Sequence, residues 1–274
     1  MRSVMLLDNG SRRAEATLSL RRLAAALTER IGTAVHPVSL LHSSAIDERR
    51  LEGVPAQTFE DFVRRQLRAG TRDFTVIPLF FGRSRALTEL IPERVAALRP
   101  GHGPFDVQVA QTLCPLPAGE PRLVEILHDN VRQTVAAIGT EAHRVVLVDH
   151  GSPLPEVTAV RRVLAEGLRA RLDGRVPLGE AVMERRQGSE YDFNGMLLED
   201  KLREIAQTDG RRPVVLAMLF LSPGRHAGPG GDIEQICRAV THDHPAMAIY
   251  PTALVGAHPA LVDILQSRYE ASLG

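Results

Sequence analysis

The sequence predicts an α/β protein of two similar domains, each a small parallel sheet flanked by helices and related by internal duplication. Short apolar runs alternate with longer amphipathic ones, as in chains of βαβ units. The pattern then occurs twice. Met5-Leu6-Leu7-Asp8-Asn9-Gly10-Ser11 is answered by Val146-Leu147-Val148-Asp149-His150-Gly151-Ser152, 141 residues later. Leu79-Phe80-Phe81 is answered by Leu219-Phe220-Leu221 at a spacing of 140, and the block from Glu120-Pro121 by that from His258-Pro259 at 138. Three blocks in one order at nearly constant spacing are a duplication.

The elements follow in order. Strands are expected at 3–8, 33–40, 73–80 and 105–110, with second-half counterparts at 144–149, 177–183, 213–220 and 246–251. Helical periodicity places Leu20, Leu23, Leu27 and Ile31 on one face of 13–30, and Phe59, Phe62, Val63 and Leu67 on one face of 57–69. The second half repeats this at 155–172 and 193–207. Runs such as Val145-Val146-Leu147-Val148 fit strands covered on both faces. The expected division is 1–139 and 143–274, with a linker at 138–142.

Composition narrows the function. Hydrophobic content of 44% and charged content of 24% are ordinary for a globular protein, and the formal net charge is zero. Neither nucleic acid nor an anionic membrane is expected as a partner. No run reaches the roughly 20 apolar residues a spanning helix needs, and the N-terminal apolar run is too short for a signal peptide. A cytoplasmic protein is expected, as monomer or homodimer. Lys201 is the only lysine, which argues against catalytic or phosphate-loop lysines. Arginine instead suits carboxylate capture. Two cysteines, Cys114 and Cys237, are too few for a thiolate metal cluster.

The two copies differ where chemistry is expected. The second has His150, His226 and His258 where the first has Asn9, Ala86 and Glu120. His150 follows the first strand of its half and His226 follows the third. Ligands of open parallel sheets bind at those carboxyl ends, so the two imidazoles should converge. Together they suit a borderline divalent metal or a proton acceptor; singly, each reads as a strand-end histidine bonded to backbone. Glu184 follows the second strand and reads as a third ligand, a proton carrier, or a carboxylate paired with Arg185. Arg225, Arg185 and Arg186 give a positive rim suited to a substrate bearing carboxylates. His258 reads as orienting its loop, and His242 and His244 as solvent-loop residues. The 227–231 loop reads as a turn or as an anion-binding row of amides.

Asp149-His150-Gly151-Ser152, the run Leu219–His226, Asp232-Ile233 and Gly256-Ala257-His258-Pro259 together resemble the class II tetrapyrrole chelatases, of the CbiX/SirB type that acts on sirohydrochlorin. The resemblance spans both halves and is stronger in the second. It implies two chelatase-like domains, the first degenerate, and insertion of Co2+ or Fe2+, with Ni2+ as a further candidate, into sirohydrochlorin or a related tetrapyrrole on the way to cobalamin or sirohaem. It assigns metal and catalytic roles to His150 and His226; Glu184 is a weaker third participant, and Arg225 and Arg185 face substrate. The metal is substrate, and no organic cofactor is implied. Asn9 departs from the pattern because an amide accepts no proton, and Gly228–Gly231 lengthens a loop of the pocket. Two alternatives stay open: a metal or tetrapyrrole carrier without turnover, and a serine hydrolase built on Gly82-Arg83-Ser84-Arg85-Ala86, near the nucleophile-elbow pattern.

Overall fold

A computed structural model describes residues 2–140, 142, 144–172, 174 and 176–274. The elements in chain order are β1 (Arg2–Asp8), α1 (Ala14–Ile31), β2 (Val35–Ser39), α2 (Phe59–Arg68), β3 (Asp73–Pro78), α3 (Ile91–His102), β4 (Asp106–Val109) and α4 (Pro121–Ile138). They continue with β5 (Arg144–Asp149), α5 (Pro155–Arg171), β6 (Leu178–Val182), α6 (Leu198–Asp209), β7 (Val214–Met218), α7 (Asp232–Asp243), β8 (Ile249–Pro251) and α8 (Leu261–Ala271). All eight expected strands are present and all pair in parallel, in the orders β2-β1-β3-β4 and β6-β5-β7-β8. The predicted α/β architecture of two like halves is what forms. Among the described residues no helix is long and apolar enough to cross a membrane.

The central strands are continuous apolar runs because helices cover both their faces. Val145 to Val148 and Val214 to Ala217 are completely buried. Covering helices supply one apolar face each: α2 buries Phe59, Phe62, Val63 and Leu67, and α6 buries Leu198, Leu202 and Ile205. Each such side chain contributes about 1.5–3 kcal/mol by leaving water. Thr58 caps α2 by accepting from the Asp61 amide, and Gly32 ends α1 in the left-handed region.

Two expectations are revised. The helix expected over 193–207 is two elements, because a 3-10 turn at Ser189–Asn194 is cut off from α6 by Gly195, whose φ is +81°. The division expected at 139/143 follows the sequence repeat, whereas the compact units are Met1–Ala118 with Pro259–Gly274, and Gly119–His258. The last helix of each repeat decides this. α8 packs on α1 and β3, where Leu261, Ile264 and Leu265 are buried and Arg268 donates to the Thr112 and Leu113 carbonyls at 2.8 and 3.0 Å. α4 packs on α5 and β7, and its buried Asn130 donates to the Ala253 carbonyl at 3.1 Å.

In the first unit β1 ends on a buried acid. Asp8 Oδ1 has no hydrogen-bond partner, and burial pushes the carboxyl up to about 6 against weaker opposing bonds from Ser39 and the Gly10 amide. Below pH 3.8 both folded and unfolded chains hold this proton. Between 3.8 and about 6 only the folded chain holds it, so stability falls as pH rises. Above about 6 the loss is complete, at about 3 kcal/mol from the size of the shift. Asp8→Asn is expected to remove that slope and stabilise the protein at pH 7.5 by about 1–3 kcal/mol. Urea titrations at pH 4 and 7.5 check this, and an unchanged difference between the two pH values contradicts it.

Candidate metal centre

The second unit's site is built by continuing its sheet beyond the strands. The Met183 amide donates to the Asp149 carbonyl at 2.8 Å and the Glu184 amide to the His150 carbonyl at 3.1 Å, so Glu184 lies beside His150. The Leu219 amide donates to the Val148 carbonyl at 2.9 Å and starts the loop to His226 on the other side of β5. That loop folds back, with the Asp232 and Ile233 amides donating to the carbonyls of Arg225 and His226 at 3.2 and 3.0 Å. The two imidazoles meet with ring centroids 4.5 Å apart and planes at 77°. The expected convergence is observed.

Hydrogen bonding orients both rings alike. His226 Nδ1 lies 2.6 Å from Asp232 Oδ2, and His150 Nδ1 lies 3.0 Å from the Gly151 carbonyl oxygen. A carboxylate and a carbonyl only accept, so both Nδ1 atoms carry hydrogen, and each ring in its neutral form offers an Nε2 lone pair. His150 Nε2 is 3.3 Å from Glu184 Oε1, and both side chains are substantially exposed. Two lone-pair atoms facing each other at that distance call for a cation, either a proton or a metal. Donors about 2.1 Å from one tetrahedral ion lie roughly 3.4 Å apart, so the spacing accommodates a metal. Among the described residues no His, Cys, Asp or Glu group of three or more is gathered into a metal-holding set.

The turn carrying His150 is held from beneath by residues that sequence reasoning missed. Arg161 on α5 is buried and donates to Asp149 Oδ1 at 2.7 Å, Glu180 Oε2 at 3.3 Å and the Asn194 carbonyl at 2.6 Å. Burial pushes the Asp149 carboxyl up, and the Arg161 charge opposes that. Asn194, also buried, accepts from the Ser152 amide at 3.0 Å and donates to the Ser152 carbonyl at 2.8 Å. His150 is therefore pinned on both sides. Gly151 is required between them: its φ is +89°, and a Cβ there would sit 2.0 Å from the Glu184 carbonyl oxygen.

The other candidates are placed as follows. Arg185 pairs with Asp192 at 3.1 Å, not with Glu184, and also donates to the Gly195 carbonyl. Arg225 is 78% exposed, its Nε 3.8 Å from Asp232. Arg186 lies over the Tyr191 ring. His258 follows the Val255–Ala257 turn and bonds the Val255 carbonyl through its amide. His242 belongs to the last turn of α7, so the solvent-loop reading is revised for it. The 227–231 loop is no row of free amides: Gly228 and Gly231 donate to backbone carbonyls and Gly230 to Glu234. Ser84 Oγ is buried without a hydrogen-bond partner, which removes the activated nucleophile of the hydrolase reading.

Removing Arg161 strands the buried Asp149 charge. Arg161→Met is expected to cost about 3–5 kcal/mol in chemical denaturation, and Asp149→Asn in the same chain to restore most of it. A loss of less than about 1 kcal/mol in the single variant contradicts the assigned network.

Comparison with known proteins agrees with this fold. A family model described as CbiX matches residues 3–134 and 144–272. SirB from Bacillus subtilis with Fe3+ superposes with a TM-score of 0.70 at 16% identity, covering 99% of this chain and 95% of that one. The sirohydrochlorin chelatase SirB of Bacillus subtilis subspecies spizizenii in complex with cobalt gives 0.66 at 16% identity, covering 99% and 94%. CbiX, described as the terminal enzyme of sirohaem biosynthesis in denitrifying bacteria, gives 0.66 at 15% identity and covers both chains fully. No curated protein matches. With a family match across both halves, and with the fold shared along nearly its whole length, the chain belongs to the CbiX family.

Proposed function

We propose that the second unit accepts a divalent metal ion, Co2+ or Fe2+, and inserts it into sirohydrochlorin or a related tetrapyrrole. The observation that carries this reading is the pair of Nε2 lone pairs, each set by an Nδ1 bond, with a carboxylate 3.3 Å from one of them. Family membership supports the substrate class. The related SirB structures are described with Fe3+ and with cobalt, which supports the choice of metals.

The chemistry asks for both kinds of group present. Insertion exchanges two pyrrole N–H protons for one divalent ion, so a metal donor and a proton acceptor must act at one place. His150 and His226 hold the incoming ion through Nε2. Asp232 keeps the His226 tautomer and ring orientation. Glu184, 62% exposed, takes the two released protons one after the other and passes each to water. Arg225 is the freer of the two proposed carboxylate partners, since Arg185 already donates to Asp192 and Gly195. Proximity of a held ion to the ring supplies the main rate gain.

Purified protein mixed with sirohydrochlorin and Co2+ is expected to speed the absorbance change of metal insertion above the protein-free rate. His150→Ala and His226→Ala are expected to lower that rate about 100-fold or more while thermal melting is unchanged. Asp232→Asn should cost about 10–100-fold. Tight tetrapyrrole binding without acceleration in the unaltered protein would instead establish a carrier.

A further inference from the structure

The first unit has lost the imidazoles but has not become bland at the matching place. At the repeat-equivalent positions, Pro153, Leu154 and Pro223 of the second unit are replaced by Arg12, Arg13 and Arg83 of the first. Leu41 also stands where the second unit has Glu184, since its amide donates to the Asn9 carbonyl as Glu184 does to that of His150. One copy has thus traded metal donors and a carboxylate for three guanidinium groups.

Topology puts those groups on one edge. β1 and β3 are neighbours in the sheet, and the Leu79 amide donates to the Leu7 carbonyl at 2.8 Å, so the loops 9–13 and 79–85 leave the same carboxyl edge side by side. Arg12, Arg13 and Arg83 are exposed, and none makes an ion pair among the described residues. Arg85 is excluded from the group because Glu89 lies 3.6 Å from it. Arg12 and Arg13 also precede α1, whose N-terminus carries positive potential, and Arg13 sits at the cap with no side-chain cap bond. Cations there are unfavourable by themselves, and the single acid of the first turn, Glu15, is shared with Arg50 at 3.7 Å. A bound anion relieves both the repulsion and the uncapped helix end.

We infer that the carboxyl edge of the first unit is a binding surface for a polycarboxylate small molecule, held by Arg12, Arg13 and Arg83. For the identity of that ligand as the macrocycle to be metallated, the inference rests on the proposed function.

The probe is uroporphyrin, a fluorescent polycarboxylate porphyrin, titrated without metal into the full chain at low and high salt. Arg12→Gln/Arg13→Gln/Arg83→Gln is expected to weaken binding about tenfold or more and to flatten its salt dependence. Arg22→Gln/Arg68→Gln/Arg99→Gln, with the same change in net charge elsewhere on the unit, is expected to bind as the unaltered protein does. The methyl ester of the probe should not distinguish the three proteins. Unchanged uroporphyrin affinity in the Arg12→Gln/Arg13→Gln/Arg83→Gln variant overturns the inference, as does equal weakening in both triple variants, which assigns the effect to overall charge. If the unaltered protein inserts no metal but still binds uroporphyrin through these arginines, the proposed function fails and the surface stands.

Discussion

One buried guanidinium governs the geometry of the candidate metal centre. Arg161 satisfies Asp149, Glu180 and the Asn194 carbonyl from a single interior position. Taking that charge out of water is expensive, and a buried pair of this kind adds little to net stability compared with an apolar filling. Its effect is positional. Asp149 precedes His150, and Asn194 holds Ser152 by two bonds, so the histidine stands on a turn whose ends are both fixed. The imidazole needs only its Nδ1 bond to Gly151 to aim its free nitrogen.

The first unit shows what the same turn does without that support. Leu20 occupies the turn of α1 that corresponds to Arg161, 141 residues earlier, and it is buried. Asp8, the counterpart of Asp149, is left with an unpartnered oxygen. The sheet order is unchanged and the turn survives, with Gly10 at φ +86° and an added Cβ there 1.7 Å from the Leu41 carbonyl oxygen. The glycine shared by both copies therefore answers to backbone crowding between adjacent strand ends. The arginine and histidine, present in one copy only, answer to the site. Duplication separates what the fold needs from what the chemistry needs.

That separation explains which features were legible beforehand. Strands covered on both faces announce themselves as unbroken apolar runs, and His150 and His226 could be brought together from strand position alone. α3 was less visible because Pro92, Pro100 and Gly101 break the helical signal in its stretch. The exchange of α4 and α8 was not visible, since packing rather than repeat length decides which sheet a terminal helix covers. Asn194 lies 42 residues from Ser152, and no local period links them. Asp232 was the nearest miss. An acid opening a helix six residues after a histidine is a readable signal once the intervening loop is expected to fold back.

The small number of donors is itself informative about the chemistry. Four protein ligands around a borderline ion make a closed structural site that keeps its metal. Here the two imidazoles of the candidate site have Glu184 beside His150, all partly exposed, and a second carboxylate, Asp232, is bonded to His226 Nδ1. Under the proposed function, coordination positions would be left for the macrocycle nitrogens, so that each metal–nitrogen bond formed on the ring side would be matched by one lost on the protein side. The His226–Asp232 bond keeps that ring oriented, whereas the side chains of His150 and Glu184 are substantially exposed. For such a transfer a tighter cage would raise metal affinity and slow release to the ring.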